Sequence, residues 1–146
     1  WMREALAESF GALPLCAPNP PVGCVIVRGD QIVARGFTGR PGHPHAEAAA
    51  LANLPAEVDP QQLDLYVTLE PCSFTGRTPS CALAIVASGI RRVHVATLDP
   101  HPRNSGQGIQ MLRHAGIHVQ LGVLEEVVLS FIRPHLWSEA RQPPVL

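Results

Sequence analysis

The chain has 146 residues, of which 46% are hydrophobic and 16% charged, and its formal net charge is −1 at pH 7. This composition excludes a disordered chain, which would be poor in apolar residues and strongly charged. The near-neutral charge disfavours nonspecific binding to a nucleic-acid backbone, and the absence of lysine excludes Schiff-base chemistry on that residue. The length fits one domain with its own hydrophobic core.

The first half of the chain predicts a helix, a β-hairpin and a second helix. Apolar residues recur at helical spacing over residues 2–13, and a Pro-rich loop follows. Residues 22–27 and 32–37 predict two strands, which a Gly-Asp turn joins into a hairpin. An alanine-rich helix is predicted over residues 45–54.

The second half alternates strands with helices. Strands are predicted over residues 63–69, 90–97 and 117–121, and helices over residues 81–88, 108–115 and 123–136. This alternation indicates an α/β fold with a mostly parallel sheet covered on both faces, to which the hairpin adds one antiparallel pair. We expect a single domain over residues 1–137, with residues 138–146 as a tail or linker.

Targeting signals and membrane spans are not evident in the sequence. The opening segment carries acidic residues and lacks the uninterrupted apolar core of a secretory signal. No apolar run approaches the roughly 20 residues that a membrane span needs. We therefore expect a cytoplasmic protein in which paired cysteines more often bind metal than form disulfides.

Three segments carry candidate metal ligands. His45 opens one predicted helix, Cys72 follows a predicted strand, and Cys81 opens the next helix. Because both helix starts follow the same edge of the sheet, the three side chains can converge. One imidazole and two thiolates suit Zn²⁺, and three protein ligands leave a fourth position for water, which is the catalytic arrangement.

Glu47 is the candidate proton shuttle, because it lies two residues after His45 in the same helical turn. From there its carboxylate can take a proton from a water at the metal and pass it to a leaving amine. The pattern matches the zinc deaminase signature H-x-E…P-C-x-x-C, except that eight residues separate Cys72 from Cys81. We expect these extra residues to bulge as a loop before the helix.

Other interpretations of these residues stay open at this point. The histidine and cysteines could be ordinary packing residues, as we expect Cys16 and Cys24 to be. A structural zinc site would need a fourth protein ligand, for which His43 and Cys24 are the candidates. In a non-catalytic, zinc-stabilised module, replacement of Glu47 would keep the metal and leave function unchanged.

Beyond this signature, the chain resembles the deaminase domain of the bifunctional riboflavin-biosynthesis deaminase/reductase. The most specific segment is TLEPCSFTGRTPSC over residues 68–81, and further segments lie at residues 18–27, 42–51, 99–100 and 106–119. The resemblance implies a cytidine-deaminase-like three-layer α/β/α sandwich with a mixed five-stranded sheet. It also implies hydrolytic deamination of a diamino-ribosylamino-pyrimidinone 5′-phosphate, with one zinc ion on His45, Cys72 and Cys81 and with Glu47 as proton shuttle.

The resemblance further implies substrate contacts. Asn19 would contact the pyrimidine, and Arg77 stands where a guanidinium could hold a phosphate bidentately. Thr38 and Phe74 replace family histidines, and His101 replaces a family asparagine; Thr38 and His101 are implied to line the pocket. Because the candidate metal residues match the family and these pocket positions depart from it, the resemblance indicates the reaction class better than the substrate. The alternative is a stand-alone paralogue that deaminates another aminated heterocycle or a nucleoside in secondary metabolism.

Expected partners follow from the same resemblance. The substrate is a small aminated pyrimidine, and a homodimer or homotetramer is implied. A reductase domain or a separate reductase would act next. No membrane partner is expected, and the low charge disfavours editing of a base in RNA or DNA.

Overall fold

The computed structural model describes residues 1–138 and contains every helix and strand that the sequence predicts. In chain order the elements are α1 (Met2–Ser9), β1 (Gly23–Arg28), β2 (Gln31–Phe37), α2 (Ala46–Ala52), β3 (Leu63–Leu69), α3 (Cys81–Ser88), β4 (Arg92–Thr97), α4 (Gln107–His114), β5 (His118–Leu121) and α5 (Glu125–Ile132). Short 3-10 turns are formed by Phe10–Ala12, Pro60–Gln62 and Arg133–His135. The last helix ends earlier than predicted because Pro134 cannot continue an α-helix. Residues 139–146, which hold most of the predicted tail, lie outside the described residues, and the domain boundary stays a prediction.

The sheet has the strand order β2-β1-β3-β4-β5 and is mixed, as predicted. β1 runs antiparallel to both β2 and β3, whereas β3, β4 and β5 are mutually parallel. The expectation of one antiparallel pair in a mostly parallel sheet is therefore wrong. The reason is that α2 connects β2 to β3, which run in the same direction, and this crossover leaves a position between them that β1 fills.

Two glycines show which helices cover the two faces of the sheet. A Cβ atom at Gly23 would overlap the backbone oxygen of Ala5 in α1, and one at Gly36 would overlap the backbone of Ala46 in α2. Gly36 pairs with Cys24, the neighbour of Gly23 in β1. Because successive strand residues point to opposite faces, α1 covers one face and α2 covers the other.

The other helices complete these two layers. α3 lies against both α2 and α4, while α5 packs on β4. The rings of Phe10 and Phe131 meet edge to face with centroids 4.8 Å apart, which joins α5 to the end of α1. The fully buried core between the layers includes Ile26, Leu65, Ile85, Val93, Leu112 and Ile132. Within residues 1–138, no helix has the length and apolar character to cross a membrane.

Candidate active site

Three ligand side chains meet where the chain leaves the carboxyl ends of β2 and β3. His45 is the N-cap residue of α2, Cys81 is the first residue of α3, and Cys72 lies in the loop after β3. The Sγ atoms of Cys72 and Cys81 lie 3.9 Å and 3.6 Å from Nδ1 of His45. All three ligand atoms lie within 4.8 Å of one another, so a single ion could contact one nitrogen and two sulfurs.

The second ring nitrogen of His45 has its own partner. Nε2 lies 3.1 Å from the hydroxyl oxygen of Thr78. A partner at this nitrogen fixes the orientation of the ring and leaves Nδ1 directed at the two sulfurs. The sequence analysis did not single out Thr78, although it belongs to the GRTP part of the most specific segment.

The start of α3 closes onto the loop that carries Cys72. The backbone N–H of Cys81 donates to Sγ of Cys72 at 3.2 Å, and the Ala82 N–H donates to the Cys72 carbonyl at 3.1 Å. The Ser80 hydroxyl donates to that carbonyl and accepts from the N–H of Leu83, so it also caps α3. The eight residues between the cysteines therefore bulge as a loop and return the second thiol to the first, as expected.

Hydrogen bonding within the cluster divides the protons between the two thiols. The Cys81 thiol donates to Cys72 and, together with His45, lowers the pKa of Cys72 well below its usual range. The same shared hydrogen bond, together with burial, raises the pKa of Cys81. The hydrogen bond to Cys72 also raises the pKa of His45. The lowered pKa of Cys72 favours its thiolate, which is the form that binds a metal.

Glu47 lies in the first turn of α2 and is only 4% exposed. Burial is the largest cause that raises its pKa to about 7; the negative thiolate of Cys72 adds to this effect, and His45 opposes it. A carboxyl group with a pKa near 7 can both accept and release a proton at neutral pH. Its burial beside the metal ligands fits a proton shuttle better than a surface charge.

Other candidate ligands lie apart from this cluster. Among the described residues, the three-ligand group of His45, Cys72 and Cys81 does not extend to His43 or Cys24. His43 is exposed in the loop before α2, and Cys24 is a buried free thiol in β1. The geometry therefore favours three protein ligands over the four of a structural zinc site.

A cavity opens beside the cluster, and its wall includes His45, Glu47, Cys72 and three of the residues expected to bind substrate, namely Asn19, Thr38 and His101. Asn19 is buried, and its Oδ1 has no hydrogen-bond partner among the described residues. The Thr38 hydroxyl accepts from the Val22 N–H at 3.0 Å. Nδ1 of His101 accepts from the Arg103 N–H at 3.1 Å.

The structure places the other two expected substrate residues, Phe74 and Arg77, outside this cavity. The Phe74 ring lies 3.9 Å from the guanidinium carbon of Arg103 and tilts toward His101. Arg77 is exposed and lines a separate groove with Thr78. His45 and Cys81 also line that groove, so the groove and the cavity share His45.

Glu70 is a buried carboxylate that the sequence analysis did not identify as functional. Its Oε1 accepts from the N–H groups of Asp99 and Gly106, and its Oε2 accepts from the N–H of Ile109 in the first turn of α4. A carboxylate at a helix N-terminus is favourable because it satisfies free N–H groups and the helix dipole. Glu70 therefore fixes the loop that carries His101 onto the end of β3.

Asn104 makes a second connection between this loop and the metal ligands. Its Oδ1 accepts from the Ser73 N–H at 3.0 Å, and its Nδ2 donates to the carbonyl of Pro71 and to the Asp99 carboxylate. Burial raises the pKa of Asp99, which also lines the cavity. In the sequence, Glu70 and Asp99 were marked only by their place in segments that carry the resemblance, and Asn104 lies outside those segments.

We expect Glu70→Gln to lower the free energy of unfolding by about 2 kcal/mol, equivalent to roughly 6 °C in Tm. Glutamine replaces one oxygen of the Glu70 carboxylate with an NH2 group. This donor then faces a backbone N–H, which is also a donor, so a hydrogen bond is lost. Thermal and urea unfolding would measure the loss, and Glu57→Gln, at an exposed position, is the control. Equal stability of both variants would show that the three hydrogen bonds do not hold the loop.

Comparison with known proteins shows which protein family the chain resembles at these residues. The sequence profile of the cytidine and deoxycytidylate deaminase zinc-binding region matches residues 1–97, which include Glu47 and all three ligands. The riboflavin biosynthesis protein RibD of Aquifex aeolicus is 53% identical over 126 residues, which cover 86% of this chain and 35% of that protein.

Two solved structures extend this similarity to the fold. Form 2 of Acinetobacter baumannii RibD has a TM-score of 0.86 and 41% identity, over 93% of this chain and 38% of that one. The diaminohydroxyphosphoribosylaminopyrimidine deaminase/5-amino-6-(5-phosphoribosylamino)uracil reductase of Thermotoga maritima has a TM-score of 0.82 and 40% identity, over 90% and 38%. The chain thus spans little more than a third of the length of these relatives, and the shared part has the cytidine-deaminase-like α/β fold.

Proposed function

This chain belongs to the family of the cytidine and deoxycytidylate deaminase zinc-binding region, and we propose that it is a zinc-dependent hydrolase that removes an exocyclic amine from a pyrimidine nucleotide. The observation that most directly supports this function is the position of Glu47. Its buried carboxyl group lines the same cavity as His45 and Cys72. A buried acid with a raised pKa that lies beside candidate metal ligands and lines a cavity suits proton transfer.

The donor set fits zinc. One imidazole nitrogen and two sulfurs within 4.8 Å of one another are ligands that a borderline-soft ion prefers. We propose that His45, Cys72 and Cys81 hold one zinc ion per chain. When bound, zinc supplies a water nucleophile that is activated near neutral pH.

Glu47 performs the proton transfers of this reaction. Its carboxylate accepts a proton from the attacking water while the new C–O bond forms at the ring carbon that bears the amine. The same carboxyl group then donates a proton to the departing nitrogen, the C–N bond breaks, and ammonia leaves. The other hydrogen of the water ends on the ring nitrogen beside this carbon, so the ring gains a C=O next to an N–H. Asn19, Thr38 and His101 form the wall that holds the ring beside Glu47.

The substrate we propose is diaminohydroxyphosphoribosylaminopyrimidine, an intermediate of riboflavin biosynthesis. The name of the Thermotoga maritima protein includes this deaminase activity, and the chain is 40% identical to it. Arg77, in the groove that His45 also lines, is our candidate for binding the substrate phosphate. A reductase, as a further domain or a separate enzyme, would use the product. The homodimer or homotetramer and the cytoplasmic location stay predictions.

We expect zinc-loaded protein to release ammonia steadily from this pyrimidinone nucleotide. The assay would compare it with the dephosphorylated nucleoside and with deoxycytidylate, each over a range of concentrations. No turnover from a folded, zinc-loaded sample would contradict the riboflavin assignment and direct the search to other aminated heterocycles. Equal turnover of nucleotide and nucleoside would contradict the role of Arg77.

A further inference from the structure

Two buried polar atoms at the cavity lack a hydrogen-bond partner among residues 1–138. They are Oδ1 of Asn19 and the indole Nε1 of Trp137. Both residues line the cavity that contains Glu47. Buried polar groups in folded proteins are almost always hydrogen-bonded, so each of these atoms calls for a partner beyond residues 1–138. The two atoms have opposite hydrogen-bonding roles, because the amide oxygen only accepts and the indole N–H only donates.

Trp137 forms part of the wall of the cavity. It follows the 3-10 turn Arg133–His135, and its ring meets that of His101 with centroids 6.1 Å apart at 62°. It also lines a second cavity with Pro100 and Leu136. The indole therefore separates the two cavities, and its hydrogen-bonding atom is buried while the side chain as a whole is half-buried.

We propose that Trp137 is a substrate-positioning residue whose indole N–H donates to a carbonyl of the pyrimidine ring, while Oδ1 of Asn19 accepts from a neighbouring N–H. This inference rests on the proposed function, since it concerns the same cavity. A lactam edge, in which a ring C=O lies next to a ring N–H, supplies both partners. The pyrimidinone has such an edge. In cytosine the ring nitrogen beside the carbonyl carries no hydrogen, so the pair selects against cytosine nucleotides.

Trp137→Phe tests the donor directly, because phenylalanine keeps an aromatic wall and removes the N–H. Trp1→Phe is the matched control, since the chain has two tryptophans and Trp1 is 44% exposed at the start of α1. With zinc-loaded protein and the pyrimidinone nucleotide, we expect Trp137→Phe to raise KM roughly tenfold with little change in kcat. The control changes neither constant. An unchanged KM in Trp137→Phe, or a fall in kcat and Tm without a change in KM, would overturn the inference.

Fluorescence gives a readout that does not depend on turnover. In the Trp1→Phe chain, Trp137 is the sole tryptophan, and the pyrimidinone nucleotide can be titrated against its emission. With Glu47→Gln added to prevent turnover, we expect saturable quenching or a spectral shift at lower concentrations than with deoxycytidylate. Emission that does not respond to the nucleotide, or responds equally to both nucleotides, would contradict a contact with the lactam.

The two proposals fail in different ways. A saturable fluorescence response without ammonia release from the Trp1→Phe chain supports the role of Trp137 and contradicts the proposed reaction. Steady ammonia release with equal KM values in Trp137→Phe and Trp1→Phe supports the reaction and contradicts the role of Trp137.

Discussion

We expect Glu47→Gln to lower kcat for ammonia release by at least about a hundredfold, with KM and zinc content close to those of the unaltered chain. Glutamine has nearly the size of glutamate, so the packing of the first turn of α2 is kept. Its amide cannot accept a proton from water or return one to the leaving amine. Since the pKa of Glu47 is raised to about 7 by burial, the unaltered side chain can do both near neutral pH.

The measurement combines three readouts on the same preparation: steady-state ammonia release, zinc per chain and thermal unfolding. Glu57→Gln is the matched control, because it makes the same chemical change at an exposed position. A folded, zinc-loaded Glu47→Gln variant with unaltered turnover would remove Glu47 from the reaction. That result would favour the alternative interpretation, in which the chain is a non-catalytic module that zinc stabilises.

The secondary structure and the three side chains of the candidate metal site could be predicted because their signals are local. Residues 63–69 and 81–88 have the same bounds in the prediction and in β3 and α3, since alternation marks the strand and Gly89 marks the end of the helix. His45 and Glu47 belong to one helical turn and one short motif. The strand order could not be read in this way, because the place of β1 between β2 and β3 depends on pairing across distant parts of the chain.

The surroundings of the ligands were predicted less well for the same reason. Glu70 accepts hydrogen bonds from residues 29 to 39 positions away, so no local pattern reports its role. Trp137 reaches the cavity only because the turn after α5 directs it there. Conversely, Arg77 and Phe74 lie in the most specific segment, yet the loop between the cysteines places both outside the cavity wall.

We expect Cys72→Ala and Cys81→Ala each to reduce bound zinc from one ion per chain to a small fraction and to abolish ammonia release. Each change leaves only two of the three protein ligands, so the affinity should fall by more than the 10–100-fold that loss of a ligand-orienting residue typically costs. We expect Thr78→Val to cause the smaller, roughly 10–100-fold loss of zinc affinity, since it removes only the hydrogen-bond partner of His45. Metal analysis after dialysis against a weak chelator would rank the three variants.

Cys16→Ala is the matched control for this series, because Cys16 is also a buried free thiol but lies outside the ligand cluster. It should keep one zinc ion and full turnover despite any loss of stability from the smaller side chain. Full zinc content in Cys72→Ala would contradict the three-ligand site. Loss of zinc in Cys16→Ala as well would mean that folding, and not coordination by the two thiols, controls the metal content. We therefore expect Cys16→Ala to retain the most zinc, Thr78→Val to retain less, and the two ligand variants to retain the least. Direct coordination by Cys72 and Cys81 explains this order.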